Sequence, residues 1–209
     1  MVIYAMDPSF NALAYSLYDG KDKIYIDKSS YELGTNIGFD KILIACRNLW
    51  ESHITSLSKI GVGNEIKIEK AVSEFAPPTS QFSAGLFSLD TFIISNMFDT
   101  FTSIQEFYGV PSSYLSTVHN HAKYTKSDST KLAKYFINEV FPNEFEIIIP
   151  DNISEKGRKT KGTINNDKAE SFLFLLRMFV KYDIHNLAKK IQSEMSGLGY
   201  ESEKLLLSR

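Results

Sequence analysis

The stretch that decides the fold is residues 2–27, VIYAMDPSFNALAYSLYDGKDKIYID, which holds three short apolar segments separated by turn residues. The first segment, Val2 to Met6, ends in Asp7-Pro8. Because proline cannot donate to a central ladder, the sequence predicts that this strand stops there. Ala12 to Tyr18 and Lys21 to Asp27 alternate apolar and polar residues, and an aspartate-glycine pair between them is a hairpin signal. The opening of the chain therefore predicts three antiparallel strands.

Downstream of these strands the apolar period changes from two to about 3.6 residues. Helical spacing over Gly38 to Ile60 predicts a helix, Ile66 to Phe75 predicts a fourth strand, and residues 80–101 predict a long helix. Further elements are predicted in the following segments: helices near 112–118, 130–140 and 166–180, an edge strand or buried loop at 145–149, and a C-terminal helical tail from about 186 to 209. A hairpin sheet followed by a crossover helix and another strand is a mixed α/β sheet.

Length and composition are those of a globular protein. The chain has 209 residues, 43% of them hydrophobic, and a formal net charge of −2, so we predict a single domain over residues 1–209. The lone cysteine, Cys46, cannot form an internal disulfide and is expected to be a small buried residue. Neither a signal peptide nor a membrane helix is indicated, so we expect a cytoplasmic protein. The charge does not exclude nucleic acid, because a basic face and an acidic site cancel.

Four carboxylates fall at the ends of predicted elements. Asp7 closes the first strand, Glu74 closes the fourth, and Asp167 and Glu170 share one helix face because they are three residues apart. Carboxylates packed together raise each other's pKa, and Mg²⁺, which prefers oxygen ligands, relieves that repulsion. The alternative is structural: Asp7 as a turn residue, and the helical pair stabilised by the helix dipole. The joint placement favours a metal site.

A second candidate exists for the acid on the fourth strand. Glu69 ends the run Ile66-Lys67-Ile68 and has a similar local pattern to Glu74. We prefer Glu74 because small, apolar residues precede it, as expected in a central strand. If Glu69 were the ligand, Glu74 would be a residue at the rim.

At these positions the sequence resembles a known family, the RuvC Holliday junction resolvases, in a distant, phage-type form. The segments that carry the resemblance, in chain order, are Ala5-Met6-Asp7-Pro8-Ser9 with Ala12 to Tyr15, then Ser83-Ala84-Gly85-Leu86, then Asp167-Lys168-Ala169-Glu170-Ser171. The resemblance implies an RNase H-like mixed sheet flanked by helices. It also implies that Asp7, Glu74, Asp167 and Glu170 are the catalytic metal ligands, with Mg²⁺ as cofactor and Mn²⁺ as a substitute.

Two basic segments lie near these acids in the sequence. They contain the residues predicted to bind DNA: Lys123, Lys126 and Lys131 in the first, and Lys156, Arg158, Lys159 and Lys161 in the second. Lysine and arginine beside a carboxylate cluster would hold the phosphate backbone. The alternative is that each run is simply a solvated surface.

The expected function is a metal-dependent endonuclease of DNA recombination and repair that cuts four-way junctions, and possibly forks. The resemblance implies a homodimer, since symmetric nicks need two sites related by a two-fold axis. It also implies action in the bacterial host cytoplasm if the gene is phage-encoded. One alternative is a non-catalytic binder of branched nucleic acid on the same scaffold. Another, an actin-like phosphotransferase, would need a glycine-rich phosphate loop, and the 11 glycines are scattered.

Overall fold

The structure is a computed structural model that describes residues 1–9, 12–30, 39–75, 81–111, 125–153 and 159–200. The strands in this part of the chain are β1 (Ile3–Ser9), β2 (Ala12–Tyr18), β3 (Lys23–Ser30), β4 (Lys70–Phe75), β5 (Glu106–Pro111), β6 (Glu146–Ile148), β7 (Asn152–Ile153) and β8 (Lys159–Thr160). Six of them form one sheet in the order β5-β4-β1-β2-β3-β6, and β7 and β8 form a separate two-stranded ladder.

The antiparallel part of the sheet is the predicted one. β1 pairs with β2, and β2 pairs with β3, both antiparallel. The prediction that β1 stops at Pro8 is wrong, since the strand runs to Ser9 and Pro8 is paired with Leu13. The proline is tolerated because the ladder with β4 ends at Met6, so this end of β1 is paired on one side only.

The parallel part of the sheet follows a crossover. β4 runs parallel to β1 on the side away from β2, and β5 runs parallel to β4 at the sheet edge. β4 begins at Lys70, four residues later than predicted, because residues 61–66 form a turn closed by the bridge between Val62 and Ile66. The edge strand β5 was not predicted, whereas β6 confirms the edge-strand alternative for residues 145–149.

The helices of the described chain are α1 (Phe39–Lys59), α2 (Gln81–Thr100), α3 (Lys126–Tyr135), α4 (Asn166–Tyr182) and α5 (Ala188–Gly197). α3 continues into a π-helical turn over Phe136–Val140. The predicted helix at 112–118 and the last residues of the predicted tail, 201–209, lie outside the described residues. None of the described helices is both long and apolar enough to cross a membrane.

Each face of the sheet has its own apolar core. One core packs α1 and α2 against Tyr4, Met6 and Tyr15, and it includes Cys46, which is buried as expected. The other packs α3 and α4 against Ile3 and Ala5. α4 is the central element of the second core: every residue from Lys168 to Val180 is buried.

The RNase H-like arrangement consists of three antiparallel strands, a crossover helix, a parallel strand beside β1 and a further parallel strand at the edge. Strand order and direction therefore confirm the predicted fold class. The ladder between β3 and β6 covers only Lys23 to Tyr25, so in the described chain the rest of β3 is an open sheet edge.

Candidate functional site

Strand register places two of the predicted acids side by side. The parallel ladder between β1 and β4 pairs Met6 with Ser73 as its last described pair, so one residue further along, Asp7 lies opposite Glu74. Neighbouring strands are about 4.8 Å apart. The two carboxylates therefore lie at the same end of adjacent strands.

This pair belongs to a row of residues that crosses five strands. Asp7 is paired with Ala14 of β2, Ala14 with Lys28 of β3, and Glu74 with Val110 of β5. Side chains alternate between the two faces of a strand, and Ala5, two residues before Asp7, packs in the core that contains α4. Val110 lies in the same core. The row therefore faces α4.

The other two acids lie on the first turns of α4. Asn165 caps this helix by accepting a hydrogen bond from the Lys168 backbone N–H at 3.1 Å. Ser171 Oγ lies 3.0 Å from Ser16 Oγ on β2, which fixes the helix above the sheet. Asp167 is one turn earlier, about 5.4 Å toward the end of the sheet where Asp7 lies.

Burial differs among the four carboxylates. Asp7 and Glu170 are each only 6% exposed, Glu74 is half-buried, and the side chain of Asp167 is 28% exposed. Asp7, Glu74 and Glu170 all take part in polar or electrostatic contacts. Burying a carboxylate in this way is costly unless the surroundings compensate its charge.

Asp167 has a cation beside it. Its Oδ2 atom lies 3.5 Å from Lys28 Nζ, the β3 residue of the row. The next residue of α4 makes a second ion pair with β3: Lys168 Nζ, almost fully buried, lies 3.4 Å from Asp27 Oδ1. Neither lysine was predicted to take part in the site, since nothing in the sequence indicates which strand α4 contacts.

α4 crosses the sheet diagonally. Its first turn is tied to β3 by Lys28, whereas Tyr182 at its last turn lies over β5, where its hydroxyl oxygen is 2.7 Å from that of Tyr108. Asp167 is thus drawn toward β3, on the opposite side of Asp7 from Glu74. In keeping with this, the described residues contain no group of three or more histidine, cysteine, aspartate or glutamate side chains close enough to hold a metal ion.

The alternative acid Glu69 lies at the other end of β4. Its Oε1 atom accepts a hydrogen bond from the Val2 backbone N–H at 3.1 Å and lies 3.7 Å from the N-terminal ammonium group. Of the two candidates, only Glu74 is therefore beside Asp7. The role of Glu74 in catalysis stays a prediction.

A further carboxylate near Glu74 was missed. Asp90 on α2 is 5% exposed although it is an acid. Burial, and secondarily the nearby charge of Glu74, raise the pKa of Asp90 to about 7. The available signal was its position beside the apolar stripe of α2, where Leu89 and Ile93 are core residues.

The predicted DNA-binding residues fall unevenly on the described chain. Lys123, Lys156 and Arg158 lie outside it, and for Lys126 and Lys159 only the backbone is described. Lys131 is exposed on α3 and pairs with Asp128 at 3.3 Å. Thr130 donates to Asn166 Oδ1 at 2.8 Å, which brings the start of α3 to the start of α4, where Asp167 lies.

Lys161 is exposed and precedes α4 by five residues. Its neighbour Gly162 donates its backbone N–H to Asp151 Oδ1 at 3.2 Å. A Cβ atom at Gly162 would collide with the carbonyl oxygens of Ile149 and Pro150. The end of the second basic segment is therefore held close to the chain by a contact that requires glycine.

Comparison with known proteins adds little to this picture. No protein-family model matches the chain, and no curated protein matches it in sequence. A solved structure of Thermus thermophilus RuvC is similar over 82% of this chain and 89% of its own, with a TM-score of 0.45 and 9% identity. A ROK hexokinase from Thermus thermophilus is similar over 58% of this chain and 37% of its own, with a TM-score of 0.33 and 15% identity. The assignment of the fold rests on strand order and direction.

Proposed function

We propose that this protein is a divalent-metal-dependent endonuclease that hydrolyses phosphodiester bonds in branched DNA. The observation that supports this most directly is the row across the sheet. It sets Asp7 beside Glu74 on the face covered by α4, whose first two turns carry Asp167 and Glu170. The proposal is that a metal ion would draw these acids together, since in the described residues no three of them are close enough to hold one.

The donor chemistry at this end of the sheet fits Mg²⁺, with Mn²⁺ as a substitute. All four predicted ligands are carboxylates, the hard oxygen donors that these ions prefer. Asp167 already has a positive group beside it, the Lys28 ammonium at 3.5 Å, which supports the proposal that this carboxylate holds a cation. When bound, the metal supplies the positive charge that stabilises the transition state of phosphodiester hydrolysis.

The chain's own residues would divide the remaining tasks. Asp7 lies between Glu74 on one side and the first turns of α4 on the other. It is therefore the residue proposed to anchor the metal ions that the other acids would complete. Lys28 would leave Asp167 when the metal binds. The predicted DNA-binding residues, from Lys123 to Lys131 and from Lys156 to Lys161, would hold the phosphate backbone on either side of the cut.

The proposed substrate is a four-way junction or a related branched DNA, and the proposed assembly is a homodimer. A junction presents two equivalent strands related by a two-fold axis, so paired nicks need two copies of the site in that arrangement. Such cleavage belongs to DNA recombination and repair. Light scattering of the protein, alone and with a junction, measures whether two copies assemble.

The test is cleavage of a four-way junction, a fork and a linear duplex, each with Mg²⁺, with Mn²⁺ and with a chelator. We expect the parent protein to cut the junction only with a metal, and Asp7→Asn and Asp167→Asn to abolish cutting. Both variants should keep or improve junction binding, because each removes a negative charge that faces phosphate. The matched control is Asp99→Asn, an exposed aspartate on α2, which should cut normally.

Two results would contradict the proposal. Normal cutting by Asp7→Asn would show that Asp7 is not a catalytic acid, and the proposal would lose its central ligand. Junction binding by the parent protein without cutting under any metal condition would support the alternative function, a non-catalytic binder of branched nucleic acid. That alternative keeps the lysines and gives the carboxylates no catalytic role.

A further inference from the structure

A polar cleft opens where the end of β3 meets α1. Its volume is about 360 Å³, and the residues that line it are all lysine, serine or threonine: Lys28, Ser29, Ser30, Ser52, Thr55, Ser56 and Lys59. The four α1 residues follow one stripe of the helix, since their spacing of three, one and three positions keeps them on one face. The cleft lies beside the part of β3 that β6 leaves uncovered.

The chemistry of this lining selects for an anion. Three of the polar groups already have protein partners, because Lys28 pairs with Asp167, Thr55 donates to the Glu51 carbonyl and Ser56 donates to Asp27. The donors that remain for a ligand are the Lys59 ammonium and the hydroxyls of Ser29, Ser30 and Ser52, and no carboxylate is among the residues that line the cleft. Lys59 is exposed and makes no ion pair with any other residue in the described part of the chain. A tetrahedral oxyanion such as a phosphate group needs several donors at once, and this cleft supplies them from two elements.

Contacts below the cleft hold its floor in place. Ser29, only 5% exposed, has its Oγ 3.4 Å from Nδ1 of the buried His53, and Nε2 of that ring lies 2.6 Å from the Tyr4 hydroxyl. With the His53 proton on Nδ1, the ring donates to Ser29, and the serine hydroxyl is left to donate into the cleft. Ser56 is fixed in turn by donating to Asp27 Oδ2 at 3.3 Å.

Lys28 connects this cleft to the row of acids. Lys28 is one of the residues that line the cleft, and its ammonium lies 3.5 Å from Asp167. Through its register partner Ala14 on β2, Lys28 is two strands from Asp7. Two strand spacings are roughly 10 Å. A nucleic acid strand whose cut site lies at Asp7 would therefore pass the cleft within a few nucleotides.

We propose that this cleft binds a backbone phosphate of the DNA strand that is cut, within a few nucleotides of the cut site. The inference rests on the proposed function, because it takes the strand to be the substrate of the site at Asp7. It adds a contact on the α1 side of the sheet, whereas the sequence-predicted basic residues approach from α3 and the segment before α4. Lys59 alone would not make the case, since a lysine in the last turn of a helix is also stabilised by the helix dipole.

The test uses the full chain and avoids Lys28, which belongs to the proposed catalytic site. The variant is Ser52→Ala with Lys59→Gln, both exposed positions on α1. The matched control is Ser58→Ala with Lys189→Gln, which also removes one hydroxyl and one charge from exposed positions, but outside the cleft. Binding to a linear duplex and to a four-way junction is measured with a chelator present, at several salt concentrations.

We expect the cleft variant to bind about three- to tenfold more weakly at 0.1 M salt. Its slope of log K against log [salt] should be shallower by about 0.9 on duplex, the value for one lost phosphate contact. The control should match the parent protein. Equal slopes for the variant and the parent would overturn the proposal.

A titration with inorganic phosphate separates the two sources of this anion. If phosphate shifts the backbone amide resonances of residues 28–30 and 52–59 while the DNA slopes stay equal, the cleft takes free phosphate, and the proposal is wrong. Because binding is measured without metal, the result does not depend on cleavage. If the slope changes but the parent protein does not cut DNA, the cleft is a DNA contact and the proposed nuclease activity is refuted.

Discussion

Lys28 Nζ lies 3.5 Å from Asp167 Oδ2, and this ion pair joins the row of residues on the sheet to the first turn of α4. Both side chains are about one-third exposed, so the pair contributes little to stability by itself. Its value lies in position, because it holds a positive charge where the proposed metal would bind. Lys28 and the proposed metal would therefore compete for the same carboxylate.

We predict that Lys28→Gln binds Mg²⁺ more tightly than the parent protein. Removing the competing ammonium frees Asp167, and a surface ion pair worth up to about 1 kcal/mol corresponds to roughly a two- to fivefold lower half-saturation concentration. The measurement is the rise of the melting temperature with Mg²⁺ concentration. Lys23→Gln, which breaks the pair with Glu146 on the same strand, should leave the midpoint unchanged. A higher midpoint in Lys28→Gln would show that the lysine assists metal binding.

Glu74 and Glu69 should respond differently to the same substitution. Glu74→Gln is expected to fold normally and lose metal-dependent cutting, because the residue lies beside Asp7. Glu69→Gln is expected to cut normally and lose about 0.5–1 kcal/mol of unfolding free energy, because Glu69 holds the chain start through Met1 and Val2. Cleavage assays and urea unfolding of both variants measure this. Normal cutting by both variants would show that neither acid of this segment is a catalytic metal ligand.

The second basic segment should contribute affinity without selectivity. Replacing Arg158, Lys159 and Lys161 by alanine is predicted to weaken binding to all DNA shapes equally, because phosphate contacts carry little sequence information. If all three touch phosphate, the salt slope on duplex should fall by about 2.7. Alanine at three exposed lysines elsewhere, Lys21, Lys67 and Lys189, is the control. A changed cleavage preference with an unchanged slope would mean that the segment reads bases.

His53 should make the fold sensitive to acid. Burial lowers the pKa of His53 from 6.5 to about 3, so below pH 6.5 the unfolded chain takes up a proton that the folded chain does not. Stability should therefore fall as the pH drops from 6.5 and level off below about pH 3. Between pH 6.5 and 4.5 the loss amounts to about 2 kcal/mol.

The comparison for this prediction is His53→Gln, followed by urea unfolding at both pH values. The variant lacks the titrating group, so its loss of stability over this range should be smaller by about that amount. His185→Gln, at an exposed histidine bonded to Tyr18, should behave like the parent protein. An acid dependence that is the same in His53→Gln would assign the effect to other groups.

Elements with a strong apolar period could be predicted from the sequence. β1 to β3 are marked by alternation and a hairpin turn, and α4 by its dense apolar run. β5 was missed because Glu106–Pro111 contains a glycine and ends in proline, features that weaken a strand signal although an edge strand tolerates them. The predicted start of β4 was too early for a similar reason. Ile66 and Ile68 are apolar, as strand residues often are, but they are not part of the β-ladder.

The candidate site could be predicted only in part. Asp7 and Glu74 follow from their places at strand ends, because neighbouring parallel strands end together. The diagonal path of α4, which turns Asp167 toward Lys28 rather than toward Glu74, depends on packing against the whole sheet. Asp90 and the cleft between β3 and α1 likewise depend on contacts between elements, for which the local sequence carries no signal.

The central position of α4 has a consequence for how the protein is made. Ser171 on this helix bonds to Ser16, 155 residues earlier in the chain, and the helix completes one face of the sheet. At roughly 5–20 residues per second of synthesis, Asp7 would leave the ribosome about 10 to 30 seconds before Glu170. During that interval the first strands lack the partner that covers their inner face. A nascent chain therefore has Asp7 and Glu74 without the two acids of α4, and the proposed nuclease activity would begin only after the helix has docked.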